Sequence, residues 1–106
     1  CRLVLEETGL LPHTNCGLLN AREMALLRSV SVSQGLMIES VSEALLEAGG
    51  AHAGCETKAP KLRLATLERA GRLRVPFTTG LLLGIGESRS DVLRALVALR
   101  DSHARW

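Results

Sequence analysis

Three observations predict an α/β fold built on parallel strands. The first is the order of patterns along the 106 residues, which reads α, β, α, β, α, β, α. Such alternation argues a parallel sheet with right-handed crossovers. The second is the run Val75 to Leu83, VPFTTGLLL. Its near-continuous apolar end, Leu81-Leu82-Leu83, suits a strand covered on both faces or lining a barrel. The third is Gly84-Ile85-Gly86-Glu87 directly after it, followed by a long helical pattern. That is a βα corner, where parallel α/β folds place ligand sites. About three strands cannot close a barrel, so as a barrel the chain is a segment.

Cys1 to Thr8 carries apolar residues at 3, 4 and 5 and a polar end, the tail of a helix stopped by Gly9. Leu10 to Thr14 is a short strand that ends in a His-Thr-Asn loop, and Gly17 marks a turn. Asn20 with Glu23 forms a capping-box pattern ahead of Met24, Leu26 and Leu27. Val30 to Ile38 opens with Val-Ser alternation and reads as a strand. Ser40 and Glu43 repeat the S-x-x-E start, for a helix running to Gly49-Gly50. Ala51 to Lys58 has no apolar period and is long enough to be functional. Pro60 fits the first position of a helix with Leu62, Leu64, Ala65, Leu67 and Leu73 as its stripe. Ser88 or Ser90 caps the last helix, with Val92, Leu93, Leu96, Val97 and Leu99 inward.

Composition removes several functions. A net charge of +2 is too small to argue for nucleic acid or a membrane surface. Phe77 and Trp106 are the only aromatic residues, so there is no stacking platform for single strands. No apolar run approaches the ~20 residues of a membrane span. Cys1, Cys16 and Cys55 are odd in number, widely spaced and without metal-finger spacing, which reads as free thiols in a reducing, cytoplasmic compartment. The chain starts at Cys1 and stops at Trp106 inside a helical pattern, so both ends look cut.

Taken alone, the glycine corner is open to several readings. It is not a Walker A loop, because no GK[ST] follows, and it is not GxGxxG, because Arg89 stands three after Gly86. A phosphate cradle, a nucleoside site and a plain tight turn all fit. Glu39 could simply charge a helix N-terminus, and Arg63 could be a solvated first-turn residue.

Four stretches narrow the choice: ETGLLPHTN (7–15), VSVSQGLMIES (30–40), KAPKLRLATLERAG (58–71) and PFTTGLLLGIGES (76–88). With them the chain resembles the radical S-adenosylmethionine (SAM) enzymes, and within these the FO synthases, which close the ring of 7,8-didemethyl-8-hydroxy-5-deazariboflavin, the coenzyme F420 precursor. Cys16 departs from the proline of that pattern, which makes its loop less rigid. The resemblance implies a partial (β/α)6 TIM-like barrel, of which residues 1–106 are a central segment of the radical SAM core. It implies SAM and a [4Fe-4S] cluster as cofactors, with cluster cysteines on a CxxxCxxC loop upstream and no metal ligand in this segment. It implies a lyase acting on a tyrosine-derived ribityl diaminouracil adduct with loss of ammonia. A partner subunit or fused half would make that adduct, and the segment alone would be inactive.

Carried over by residue, Gly84, Ile85, Gly86 and Glu87 match the motif beside the adenine of SAM. Glu39 matches an acidic position near its ribose or amino-acid part, and Arg63 matches an arginine that pairs with its carboxylate. A carboxylate, a guanidinium and a glycine-lined edge answer the charges and flat ring of SAM. His13, Thr14, Asn15, Gln34, Thr78 and Thr79 end or follow strands and are substrate candidates. One of each adjacent strand pair must point inward, and the sequence leaves open which. Other classes remain: a biotin-synthase-like or hydrogenase-maturation-like enzyme, or a non-catalytic degenerate fragment.

Overall fold

The computed structural model describes all 106 residues. Helix α1 (Arg2–Thr8) ends where Gly9 takes φ 69°, the left-handed turn that glycine adopts without strain. Strand β1 (His13–Thr14) follows, then α2 (Ala21–Arg28). At the start of α2 the Asn20 side chain accepts from the Glu23 N–H and Glu23 accepts from the Asn20 N–H, the expected capping box. Strand β2 (Ser33–Gly35), two short 3₁₀ turns (Glu43–Leu46 and Glu56–Lys58) and α3 (Pro60–Arg72) come next. Strand β3 (Phe77–Thr78) and α4 (Arg89–Arg105) complete the chain.

The sheet is parallel throughout, in the order β1-β2-β3. His13 pairs with Ser33, Gln34 with Phe77 and Gly35 with Thr78. The register decides the faces, because partners in a parallel pair point the same way. Thr14 and Gln34 lie on the face that α2 and α3 cover, and Gln34 Nε2 donates to the Met24 carbonyl at 2.8 Å. His13, Ser33, Gly35 and Thr78 lie on the opposite face, which no helix of this chain covers. The core sits under the helices, where Met24, Ala70 and Val75 are buried with Leu19, Leu73 and Phe77 packed around them.

Several expectations need correction. The strand over Val30 to Ile38 is regular only at Ser33–Gly35, and the run Val75 to Leu83 only at Phe77–Thr78, with a further bridge from Leu81 to Glu39. The S-x-x-E start at Ser40 does not open an α-helix. The Ser40 hydroxyl accepts from the Ser42 N–H at 3.1 Å, a local turn that competes with helix initiation. Only the 3₁₀ turn Glu43–Leu46 forms there.

In α3 the buried stripe is Pro60, Arg63, Thr66 and Ala70, while Leu62 is exposed. In α4 Asp91, Ala95 and Ser102 are buried, whereas Leu93, Leu96 and Val97 are exposed. The α4 cap is Ser88, closing a box with Asp91. Leu82 and Leu83 are also exposed, so the apolar end of the Val75 to Leu83 run, beyond β3, is bare in this chain rather than covered on both sides. One cause accounts for these leucines: their pattern is written for neighbours that a three-stranded open sheet does not supply. The Cα radius of gyration of 15.1 Å agrees, exceeding the ~13 Å of a closed domain of about 100 residues.

Candidate cofactor and substrate site

The C-terminal edge of the sheet gathers most of the chemistry. Beyond β2 the chain stays paired to the β3 side: Leu36 N–H donates to the Thr78 carbonyl and Glu39 N–H to the Gly80 carbonyl, each at 3.1 Å, while Leu82 N–H donates to the Glu39 carbonyl at 2.9 Å. The ladder slips by one residue before Glu39, as at a bulge. The Ile38 N–H that this slip strands is taken by the Thr79 hydroxyl at 3.3 Å. Glu39 itself has φ 63°, a left-handed conformation uncommon outside glycine and asparagine. Such outliers gather at ligand clamps and active sites.

The turn aims the Glu39 carboxylate at three basic side chains. Oε1 accepts from Lys58 Nζ and, at 3.2 Å, from Arg63 Nη1. His52 Nε2 lies 3.0 Å from Oε2 as an ion-pair contact, yet Oε2 is buried and receives no hydrogen bond. Burial by itself pushes the Glu39 carboxyl up. The Lys58 hydrogen bond and the charges of Arg63, Lys58 and His52 outweigh it and hold the group below its ordinary value.

Arg63 is buried on α3, which Pro60 starts. Its Nε donates to the Thr57 carbonyl at 2.9 Å and its Nη1 also to the Met37 carbonyl. These bonds fix the guanidinium and leave Nη2 without a partner in the chain. One carboxylate therefore faces two permanent cations and an imidazole. The cluster carries a net positive charge, which favours an anion beside it.

The glycine corner stands beside this cluster, since Leu81 bridges Glu39. The Glu87 carboxylate accepts from the Gly84 N–H at 2.8 Å and the Ile85 N–H at 2.9 Å. The N–H groups of Gly84, Glu87 itself and Ile85 hold its carboxyl below its ordinary value. The corner's N–H groups are thus spent on Glu87, which stiffens the loop. Gly84 has φ 83° and a Cβ there would meet nothing within 4 Å, so its outer edge is open. A flat ring can lie against such an edge without a side chain in the way.

On the open face of the sheet, His13 Nδ1 lies 2.8 Å from the Ser33 hydroxyl and His13 Nε2 lies 3.5 Å from the Thr78 hydroxyl. Asn15 is exposed just past β1. Of the substrate candidates, His13 and Thr78 share this face with Asn15 near the strand end. Thr14, Gln34 and Thr79 do not join them. Thr14 is buried near Ser31, Gln34 is tied to α2 and Thr79 patches the ladder. Each adjacent pair is thereby resolved, with His13 and Thr78 pointing to the open side.

Sequence reasoning missed Lys58, His52 and Ser33. The first two lie in the 51–58 loop, which is long enough to be functional; Lys58 also opens the 58–71 stretch, but no pattern gives either residue a role. Ser33 was hidden in the Val-Ser alternation. Cys1 and Cys16 are exposed and Cys55 is half-buried, all three free. No group of three His, Cys, Asp or Glu side chains is placed to hold a metal ion.

No family model matches the chain. Individual relatives do. A 7,8-didemethyl-8-hydroxy-5-deazariboflavin synthase of Gloeobacter violaceus is 53% identical over 106 residues, covering 97% of this chain and 32% of the relative. The synthase of the same name from Methanocaldococcus jannaschii is 46% identical over 102 residues, covering 96% of this chain and 28% of the relative. An FO synthase of Mycobacterium tuberculosis is 52% identical over 104 residues, covering 97% of this chain and 12% of the relative. Across essentially its whole length, the chain is therefore a homologue of one segment, at most about a third, of the 7,8-didemethyl-8-hydroxy-5-deazariboflavin synthases.

Proposed function

We propose that this chain is the part of a radical SAM core that positions SAM and substrate in a 7,8-didemethyl-8-hydroxy-5-deazariboflavin synthase. The observation that carries the reading is the pairing of two features at one sheet edge: the Glu39–Lys58–Arg63–His52 cluster and the open glycine corner 84–87. Both fit SAM. The fixed Arg63 with its spare Nη2, together with Lys58, answers a carboxylate. Glu39, with Oε2 buried against His52, acts on such a ligand by holding the two cations rather than by direct contact. The edge at Gly84 leaves room for the adenine. When bound, SAM with its reduced cluster would supply the hydrogen-abstracting radical. This chain's cysteines do not fit that cluster, because all three are separate free thiols.

Within the reaction, Arg63 and Lys58 bind and orient the amino-acid end. Glu39 holds both cations in place, and Glu87 keeps the corner rigid. The open-face group His13, Asn15 and Thr78 offers hydrogen bonds to the uncharged polar parts of a tyrosine-derived ribityl diaminouracil adduct. A partner subunit or fused half would provide that adduct, in the cytoplasm. The names of the relatives favour this reaction over the biotin-synthase-like and hydrogenase-maturation-like alternatives.

The experiment is a chimera. The matching third of the Gloeobacter violaceus synthase is replaced by this chain, and the product is read by its deazaflavin fluorescence in the presence of the partner activity. Fluorescent product is expected. A chimera that folds and carries its cluster but yields none would overturn the proposal and leave a degenerate segment as the reading.

A further inference from the structure

We infer that Ser33 is the positioning residue for His13, setting its imidazole so that Nε2 is the atom offered to the substrate. The inference rests on the reading of the open face as the substrate side. Three strands each bring one polar side chain to the same spot: His13 from β1, Ser33 from β2 and Thr78 from β3. Ser33 is the direct cross-strand partner of His13, and its hydroxyl lies 2.8 Å from Nδ1. That contact occupies Nδ1 and turns Nε2 away from β1, over Gly35.

Gly35 makes the arrangement possible. A Cβ there would lie 2.6 Å from the Thr78 hydroxyl and 3.0 Å from His13 Nε2. The missing side chain opens a gap between strands that the imidazole fills. At 3.5 Å the Nε2–Thr78 contact is loose, at the outer limit of a hydrogen bond. Nε2 is therefore held in place by Ser33 while its own bonding capacity stays available.

A neutral imidazole donates from one nitrogen and accepts at the other, and the partner of the first decides what the second offers. Ser33 is that partner, and because its hydroxyl can donate or accept, Nε2 can take either role toward a ligand. The ligand that matches Nε2 beside the Thr78 hydroxyl is an uncharged polar group, such as an amide-like ring edge or a hydroxylated chain.

The test uses the chimeric synthase, with its histidines labelled on the ring nitrogens, and compares Ser33→Ala, Ser33→Thr and Gly35→Ala. In Ser33→Ala the His13 nitrogen shifts should move, and KM for the adduct should rise about three- to tenfold, the range of one hydrogen bond lost. Ser33→Thr keeps the hydroxyl and should restore both. Gly35→Ala should move the His13 resonances with Ser33 intact. Nitrogen shifts and KM that are unchanged in Ser33→Ala would overturn the inference while leaving the proposed reaction standing. If the unsubstituted chimera makes no product, the nitrogen shifts still decide whether Ser33 sets the ring, so the two failures are distinguishable.

Discussion

Glu39 concentrates the energetics of the candidate site in one residue. Its left-handed backbone costs on the order of 1 kcal/mol or more, and that cost is offset by its bonds to Lys58 and Arg63. Replacing it with glutamine leaves two cations facing each other, one buried and one about a third exposed. Breaking a buried pair costs about 3–5 kcal/mol, and the exposure of Lys58 reduces this. Glu39→Gln in the chimera should therefore lower its unfolding free energy in urea by about 2–3 kcal/mol. The pH dependence follows from the depressed carboxyl. Its contribution is fully present above the unfolded value near 4.5 and is lost as pH falls through the lower folded value. Stability that is flat in acid for wild type and Glu39→Gln alike would contradict this.

Gly84 tests the corner at the same scale. Gly84 and Gly49 both have positive φ with open space at the Cβ position. Valine at either strains the backbone equally. Gly84→Val should weaken equilibrium SAM binding in the chimera, whereas Gly49→Val should lower the melting temperature alone. Equal SAM affinities in the two variants would take the corner out of the site. The turn at the glycine corner is legible in the sequence because two glycines follow an apolar run, whereas Glu39 stands out only through the family resemblance. Lys58, His52 and Ser33 do not stand out, because their roles come from the meeting of segments far apart in the chain.

Among the elements, the helices were read better than the strands. Helices announce their ends locally: Gly9, the Asn20–Glu23 box and Pro60 each do so and each is found in place. Asn20→Ala removes an exposed cap and should cost about 1 kcal/mol, read as a drop in thermal stability, with Asn20→Ser retaining most of it. No loss in Asn20→Ala would show that α2 is held by packing on Met24 alone. The strands were overextended in the reading because their pairing depends on neighbours. The slip before Glu39, patched by the Thr79 hydroxyl, cannot be seen in a run of apolar letters. The buried stripes of α3 and α4 were partly misread for a related reason. Leu62, Leu93, Leu96 and Val97 of the expected stripes are exposed, Leu64, Leu67, Val92 and Leu99 are half-buried and Leu73 packs against the core, while the fully buried positions include Arg63, Thr66, Asp91, Ala95 and Ser102.

For the molecule as a whole, the sheet has two uncovered edges and one bare face, with Leu82, Leu83, Leu93, Leu96 and Val97 exposed. Open edges and contiguous apolar surface favour association. No helix is long and apolar enough to cross a membrane. The 106-residue chain by itself should aggregate. After anaerobic treatment with iron and sulfide it should hold no stoichiometric cluster, because Cys1, Cys16 and Cys55 lie on separate parts of the fold. A counted [4Fe-4S] cluster with 5′-deoxyadenosine formed on reduction would show that the metal site has been misplaced.

The central claim is that the charged cluster at the end of β2 holds SAM. It is tested most directly by equilibrium binding of SAM to the cluster-loaded chimera, comparing Arg63→Ala with Arg22→Ala. Arg63 is buried and fixed in the cluster, while Arg22 is exposed in the first turn of α2. A partly desolvated guanidinium–carboxylate contact is worth about 1.5–3 kcal/mol. Arg63→Ala should therefore weaken SAM roughly ten- to hundredfold, with Arg22→Ala near wild type. Equal affinities for the two folded variants would contradict the account.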